Sequence, residues 1–461
     1  MLSVQDQFAA FAARIETNAP KQAFEAAERV FLDWLGVAAR GALTAPAPEL
    51  RRALRHEIGY GPASLVPDGI KATPRAAAFI NGAASHAIEF DDIFREAIYH
   101  PGVAVIPAAL AAAETAGCSG KRFLAAIIAG YEVSNRIGAA MIPGHYAYWH
   151  TTGTVGAFGA AVGAGVALGL NAQQMANAIS TVATMAAGLQ QAFRSDAMLK
   201  PVHAGQAAQN GITAAFGAEA GLKGAPLMLE GEVGFAAALK GEAAKPADFA
   251  SGVASLGERW TILETTQKNH SSCGHGFAAI DAMLDIVRSQ PIEATAVRAI
   301  HVGTYATAIK VTGDWNPKTA YEAQFSLPYV VSAALVRRSG CRFEAFEDRW
   351  LSDPRIRGLM NKVTLDVDAE AEAGFPARRG AAITIELEDG AALSARRQTR
   401  KGDPDDPLSL QELSEKFIEC AEPCIGKDGV RRLLTAAEIT PDLADMSTFA
   451  ESYMVSSAAA E

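Results

Sequence analysis

Aromatic side chains are scarce in this chain, 7% of 461 residues, and positive charge is in deficit, with 41 lysines and arginines against 51 aspartates and glutamates. Few aromatics beside abundant alanine and glycine disfavour a β-sandwich and favour closely packed helices. A net charge of −10 supplies no basic field for phosphates and argues against a nucleic-acid partner. It still admits a small anionic substrate, because a local basic pocket can sit on an acidic surface. Cysteine is rare too: Cys118, Cys273, Cys341, Cys420 and Cys424 are odd in number and scattered. Cys420 and Cys424 lie one helical turn apart, without the second pair a zinc site needs. The reading is reduced thiols in a cytoplasmic protein, with no metal.

Other absences narrow the chemistry. The opening MLSVQDQFAAFAARIE carries Asp6 and Glu16 and has no apolar core of the signal-peptide kind. Gly153 to Leu170 is uncharged and near membrane-spanning length, but its glycines keep hydropathy low, so it reads as a buried helix with close backbone approach rather than a membrane span. No glycine-rich element follows a strand in dinucleotide-binding or P-loop fashion; Gly163-Ala164-Gly165 falls inside a helical stretch. Neither Gly-x-Ser-x-Gly nor His-Glu-x-x-His occurs. What remains is acid–base chemistry without a cofactor.

What is present is mostly helix. Residues 6–40 read as two amphipathic helices, and 72–88, 108–116, 121–140, 153–169, 172–193 and 203–221 as further ones, with Pro101 and Pro107 breaking the chain before 108. With no convincing strand, the first 265 residues read as all-α. The pattern then changes. Helices at 275–288 and 327–336 accompany strand-like segments at 297–310, 362–366, 382–387 and 392–397, the last two joined by Glu388-Asp389-Gly390. This predicts an α+β domain with antiparallel strands over 268–400. A turn-rich linker, 401–407, leads to helices at 408–420 and 427–438 that return to the first domain, and a frayed Ser-Ser-Ala-Ala-Ala-Glu end. The expected fold is mainly α: a large helical domain from 1–265 and 405–461, plus a smaller α+β lid domain.

Four polar clusters interrupt the apolar helices: Glu89-Phe90-Asp91-Asp92 with Tyr99-His100-Pro101, Trp149-His150 before Thr151-Thr152-Gly153-Thr154, Lys200-Pro201-Val202-His203, and Lys268-Asn269-His270 with Cys273-Gly274-His275. Burying such groups is costly and is tolerated best at a working site. Lys200 and His203 fall at the N-terminal edge of a helix, with Pro201 setting its start, where an anion is favoured; the plainer reading is a capped, exposed turn. Asp91 and Asp92 cannot both be comfortable as buried anions, and His100, extended before Pro101, can act as acid or base; the plainer reading is a solvated loop. His150 is placed against a helix N-terminus that Thr152 or Thr154 caps. His86 reads as a packed core histidine. Lys268 and His275 bracket the start of the second domain, a position suited to a substrate cleft.

At these residues the chain resembles the MmgE/PrpD family, named for 2-methylcitrate dehydratase. The matching stretches are NGAASHAIEFDD, HPGVAVIPAALAAAE, WHTTGTVGAFGAAVGAGVALGL, KPVHAGQAAQNGITAAFGAEAGL, LEGEVGF, KNHSSCGHGFAAIDAM, QFSLPYVVSAAL and PLSLQELSEKF, in order over about 8–435. The resemblance implies the two-domain fold above, a homodimer, no metal and no organic cofactor. It implies a small polycarboxylate substrate, with dehydratase, decarboxylase and epimerase members all acting at a carbon bearing or adjoining a carboxylate. The implied catalytic residues are Asp91, Asp92, His100, His150 and Lys200; Lys268 and Tyr329 join His203 and His275 as substrate-binding positions. Family members often carry His-Pro-Thr where His150-Thr151-Thr152 stand, and an aromatic-Pro pair after the lysine at 268, where Asn269-His270 follow here. Both departures bear on substrate fit. The expected activity is a 2-methylcitrate dehydratase-like hydro-lyase, with an epimerase, a decarboxylase or a non-catalytic polycarboxylate binder as alternatives. In the expected mechanism Lys200 and Lys268 hold carboxylates, His100 or an aspartate takes the α-proton, and His150 protonates the leaving group.

Overall fold

Alanine and glycine set how the helices meet. The computed structural model of the chain describes residues 2–193, 197–240 and 249–454 and is mainly α. It divides into two compact units, Met1–Thr266 with Ser409–Glu461, and Gln267–Leu408. At the centre of the first unit lies the Thr151–Ala167 helix, buried at every position. It packs against the Gly102–Ala116, Gly120–Met141 and Leu199–Glu219 helices. These approaches need missing side chains. A Cβ on Gly211 would stand 2.3 Å from the Ala160 Cβ, and one on Gly205 would stand 2.3 Å from the Phe79 carbonyl. Among the described residues no helix is long and apolar enough to cross a membrane.

The ends of the chain meet within the first unit. The Leu410–Ile439 segment packs on the Lys21–Gly41 helix, and buried Lys416 reaches Asp33 Oδ1 at 2.6 Å and the Phe90 carbonyl at 2.8 Å. Two helices were expected in this segment; the break falls at Gly426, whose φ of 65° is left-handed. The frayed tail read at its end lies outside the described residues.

The second unit holds a four-stranded sheet in the order Val363–Val367, Val297–Thr304, Ala381–Leu387, Ala392–Arg397. The Phe277–Ser289 helix packs on the last two strands and on the Leu327–Arg337 helix. Along Ala381–Leu387, buried and partly exposed residues alternate, as one core-facing side requires.

The structure departs from the sequence reading in five places. The Val297–Thr304 and Val363–Val367 strands run parallel, because the chain between them crosses back through helices. The 297–304 strand stops short of 310, where an Ala306–Thr312 helix begins. The first unit is not wholly helical: Ile58–Ser64 pairs with Lys71–Ala72, and Ile93–Phe94 with Thr265–Thr266. The first of these strands contains two glycines and a proline, which erase the usual strand signal. Pro107 does not delay its helix, which starts at Gly102; packing on the buried segment outweighs the one backbone bond proline forfeits. The helix read as 172–193 ends at Ala183, and the one read as 203–221 begins at Leu199.

The close helix contacts yield a prediction. Gly211→Ala overpacks the core and destabilises the protein by about 1–3 kcal/mol. Gly358→Ala, in the Pro354–Met360 helix with open space around the added carbon, leaves stability unchanged or higher. Urea-unfolding midpoints of the two variants make the comparison.

Candidate functional site

The Pro74–His86 helix, capped by Thr73, ends at a histidine that is fully buried. The chain leaves it through Glu89, held at a φ of 54°. This turn sends Phe90, Asp91 and Asp92 inward, all buried. A short bridge, Phe94 N–H to the Tyr99 carbonyl at 2.7 Å, folds the loop back and delivers His100 to the start of the Gly102–Ala116 helix. His100 N–H donates to Thr152 Oγ1 at 3.3 Å, so this loop is tied to the central helix.

Asp91 is the hub. Its Oδ2 lies 2.9 Å from His86 Nδ1 and 2.7 Å from His100 Nδ1. An ionised carboxylate only accepts, so His86, hydrogen-bonded to it, carries its proton on Nδ1 and turns Nε2 away, while His100 Nδ1 is an ion-pair neighbour of the same oxygen without a hydrogen bond to it. The His86 ring lies 4.9 Å from that of His100 and stacks at 5.6 Å on that of His150. His150 is the N-cap residue of the central helix, its N–H on the Gly188 carbonyl at 2.9 Å and its Nδ1 3.1 Å from His203 Nδ1. His203 and Lys200 both sit on the Leu199–Glu219 helix, inside its first turns rather than before it, and Lys200 pairs with Glu89.

Charge is divided sharply among these groups. Burial lowers His86 to about 4, against the pull of Asp91. Burial also drives His150 well below its ordinary value, helped by His86, Lys200 and His203. His203 is lowered by burial as well. These rings are neutral at pH 7. Burial opposes the charge on Lys200, but Glu89 and Asp91 outweigh it and raise its pKa. The site therefore sets one ammonium beside two carboxylates, against a row of neutral imidazoles. It can hold an anion, orient it and exchange a proton with it.

Asp92 was read as catalytic, but both its oxygens serve the scaffold. Oδ1 accepts from Gly102 N–H at 3.1 Å and Oδ2 from Tyr131 O–H at 2.7 Å. A Cβ on residue 102 would stand 2.8 Å from Asp92 Oδ1, so glycine admits this bond. Burial pushes Asp92 up to about 7, opposed by the Tyr131 bond and reinforced by the charge of Asp91. Neither threonine caps the central helix as expected. Thr152 serves His100, and Thr154 Oγ1 lies 2.7 Å from His145 Nε2.

Lys268, His275 and Tyr329 belong to the second unit. Lys268 is buried there, and His275 Nδ1 lies 2.6 Å from the Tyr305 hydroxyl. Tyr329 is a core residue: it has no exposed surface, and its hydroxyl donates to the Ala345 carbonyl at 2.5 Å. That burial and commitment speak against a substrate-binding role. Two participants went unrecognised in the sequence. His86 was set aside as a packed histidine and Glu89 was quoted but given no role. Their spacing from Asp91, five and two residues, was the available signal. His86, Asp91 and His100 also offer ligand atoms within 4.8 Å of one another, a set that can take a metal ion. The ammonium of Lys200, whose field reaches both His86 and His150, opposes a dication there.

Residues 6–247 match the MmgE/PrpD N-terminal domain and residues 270–440 the MmgE/PrpD C-terminal domain. Human cis-aconitate decarboxylase is 30% identical over 393 residues, 83% of this chain and 79% of that protein. The cis-aconitate decarboxylase-like protein oryM of Aspergillus oryzae is 26% identical, covering 94% of this chain and 93% of its own length. Cis-aconitate decarboxylase of Aspergillus terreus is 26% identical, covering 90% and 88%.

The environment of Asp92 predicts a pH effect of definite sign. Its folded pKa, about 7, lies above the ordinary 3.8. Between those values the folded chain keeps a proton that the unfolded chain has released, so this group opposes folding increasingly as pH rises. Asp92→Asn carries no charge at any pH. Relative to the native chain it should gain about 2–3 kcal/mol of unfolding free energy between pH 5 and pH 8. Urea titrations at both pH values measure the difference; a gap independent of pH would place Asp92 near its ordinary pKa.

Proposed function

The chain belongs to the MmgE/PrpD family, and from that premise we propose that it is a lyase acting on a small di- or tricarboxylate at a carbon next to a carboxylate. The observation that carries this reading is the carboxylate of Asp91, hydrogen-bonded to His86 Nδ1 and 2.7 Å from His100 Nδ1, beside the ammonium of Lys200. It supplies a fixed cation for an anionic substrate and an oriented imidazole for proton transfer.

The sequence reading ranked dehydration first. The named relatives support decarboxylation of a cis-aconitate-like substrate ahead of it. In that reaction the carbon–carbon bond to one carboxylate breaks, carbon dioxide leaves, and the electron pair spreads through the adjoining double bond into a remaining carboxylate. One proton must then be delivered to carbon. Lys200 stabilises the remaining carboxylate as charge builds on it, and His100 delivers the proton. Asp91, 2.7 Å from His100 Nδ1, balances the charged form of that ring. No electron acceptor is required, so the proposal includes neither metal nor organic cofactor. Dehydration uses the same residues with one proton removed at carbon and one given to the leaving hydroxyl, the second task falling to His150. We also propose a cytoplasmic homodimer, from the family resemblance and the reading of the cysteines as reduced thiols.

The test is an assay of the purified chain on cis-aconitate, 2-methylcitrate, citrate and iminodisuccinate. Carbon dioxide release from cis-aconitate is the expected result. Water loss from 2-methylcitrate would move the chain to the dehydratases, and binding without turnover would make it a polycarboxylate receptor.

Two variants test the roles. Lys200→Met should lower kcat/KM by about 100-fold or more, as expected for losing a charge-assisted contact in the transition state. His100→Asn should leave ligand binding near normal and lower kcat by about 100-fold or more. Deuterium incorporation into product in D₂O, measured alongside turnover, checks the second: a variant that turns over as fast as the native chain would remove His100 from the proton path.

A further inference from the structure

His86 is the last residue of the Pro74–His86 helix, and that end of the helix is held tightly. A Cβ on Gly82, one turn earlier, would stand 2.9 Å from Gly205 Cα and 3.0 Å from the Val103 carbonyl. Backbone this close to two neighbouring helices has little freedom to shift. The His86 ring is wholly buried. It lies 4.9 Å from the His100 ring and stacks at 5.6 Å on that of His150, with the two planes 15° apart. Its Nδ1 donates to Asp91 Oδ2 at 2.9 Å, while Nε2 is closed off from solvent and has no hydrogen-bond partner among the described residues. A ring with no exposed surface is not placed to touch a substrate.

His100 stands differently toward the same carboxylate. It keeps 9% of its surface exposed, and its Nδ1 lies 2.7 Å from Asp91 Oδ2 without a hydrogen bond to it. One oxygen therefore meets a fixed donor on one side and a more open ring on the other. Asp91 itself sits on the loop that leaves the helix through Glu89, and an aspartate side chain turns about two bonds. A bond from a donor anchored on a helix removes that freedom. Neutrality matters as well. A charged His86 would cancel the carboxylate, whereas a neutral one orients it and leaves its charge to meet an imidazolium at His100. Burial, which lowers His86 to about 4, is consistent with the neutral ring.

We propose that His86 is a positioning residue: its Nδ1–H, fixed at the helix end, sets the Asp91 carboxylate against His100 and so places the charge that balances that ring during proton transfer. The proton-transfer role of His100 rests on the function proposed above; the hold of His86 on Asp91 rests on the geometry alone.

Three variants of the full chain separate this role from packing. Asparagine places an amide N–H where Nδ1 stands, glutamine places one near Nε2, and leucine fills the space without a donor. On the polycarboxylate that the native chain turns over, His86→Leu should lower kcat about tenfold or more and leave KM within about twofold. His86→Asn should recover most of that loss and His86→Gln little of it. Crystal structures of the Leu and Asn variants give a reading that does not need turnover. Asp91 Oδ2 should move away from His100 Nδ1 in the first and stay beside it in the second. If His86→Leu does not fold, His86→Gln, which also lacks a donor at Nδ1, is read in its place. A native Asp91–His100 distance in the variant without the donor overturns the proposal. So does an equal loss of kcat in all three variants, which would make His86 a packing group, and so does recovery by Gln but not Asn, which would move the work to Nε2. Absence of turnover on every polycarboxylate defeats the proposed reaction, while the crystal structures still decide whether His86 holds Asp91.

Discussion

Everything in the first unit depends on backbones that approach one another too closely for side chains. The Thr151–Ala167 helix is buried along its whole length and carries no charge, and apart from Phe158 it offers neighbours only small aliphatic groups, hydroxyls and bare glycine backbone. Helices meeting at that distance fit with little freedom to shift. The rigidity matters because the same helix begins at His150 and supplies Thr152 to the backbone of His100. Two site histidines thus take their positions from one element whose own position is set by packing.

Electrostatics repeats that economy. The cluster keeps charge on Asp91, Glu89 and Lys200 and withholds it from His86 and His150, which burial leaves neutral. Neutral rings beside a fixed ammonium can accept a substrate carboxylate without rearranging first, which is what preorganised stabilisation requires. The far end of the chain takes part as well. Lys416, bound to Asp33, donates to the carbonyl of Phe90, the residue before Asp91. Burying that ion pair is costly in itself. Its effect is to hold the loop that presents the aspartate, which gives the return of the C-terminal helices a purpose beyond covering the core.

Much of the site was visible as residue types. Asp91, His100, His150, Lys200 and His203 come from three separate stretches of sequence, and the fold gathers them in one cluster. Their individual duties were not visible. Asp91 and Asp92 are identical neighbours, yet one bridges two imidazoles and the other ties Gly102 to Tyr131. Tyr329 was matched to a substrate-binding position by resemblance, yet its hydroxyl is spent on a core carbonyl. His86 looked like packing and is both packed and paired. In each case the deciding partner lies on another element, often tens of residues away, and local pattern carries no record of it.

The sequence by itself determined the mainly helical character of the protein, the α+β character of residues beyond 268 and the set of proton-carrying residues. Those follow from periodicity, composition and residue chemistry, all of which act over a few neighbouring positions. Tertiary structure alone decided that Val297–Thr304 and Val363–Val367 run parallel, that Pro107 stays within its helix, and that the buried guanidinium of Arg400 is answered by Asp403. The reason is common to all three. Strand direction, tolerance of a lost backbone bond and the neutralisation of a charge depend on what packs against a residue, and long-range contacts set that after the local elements have formed.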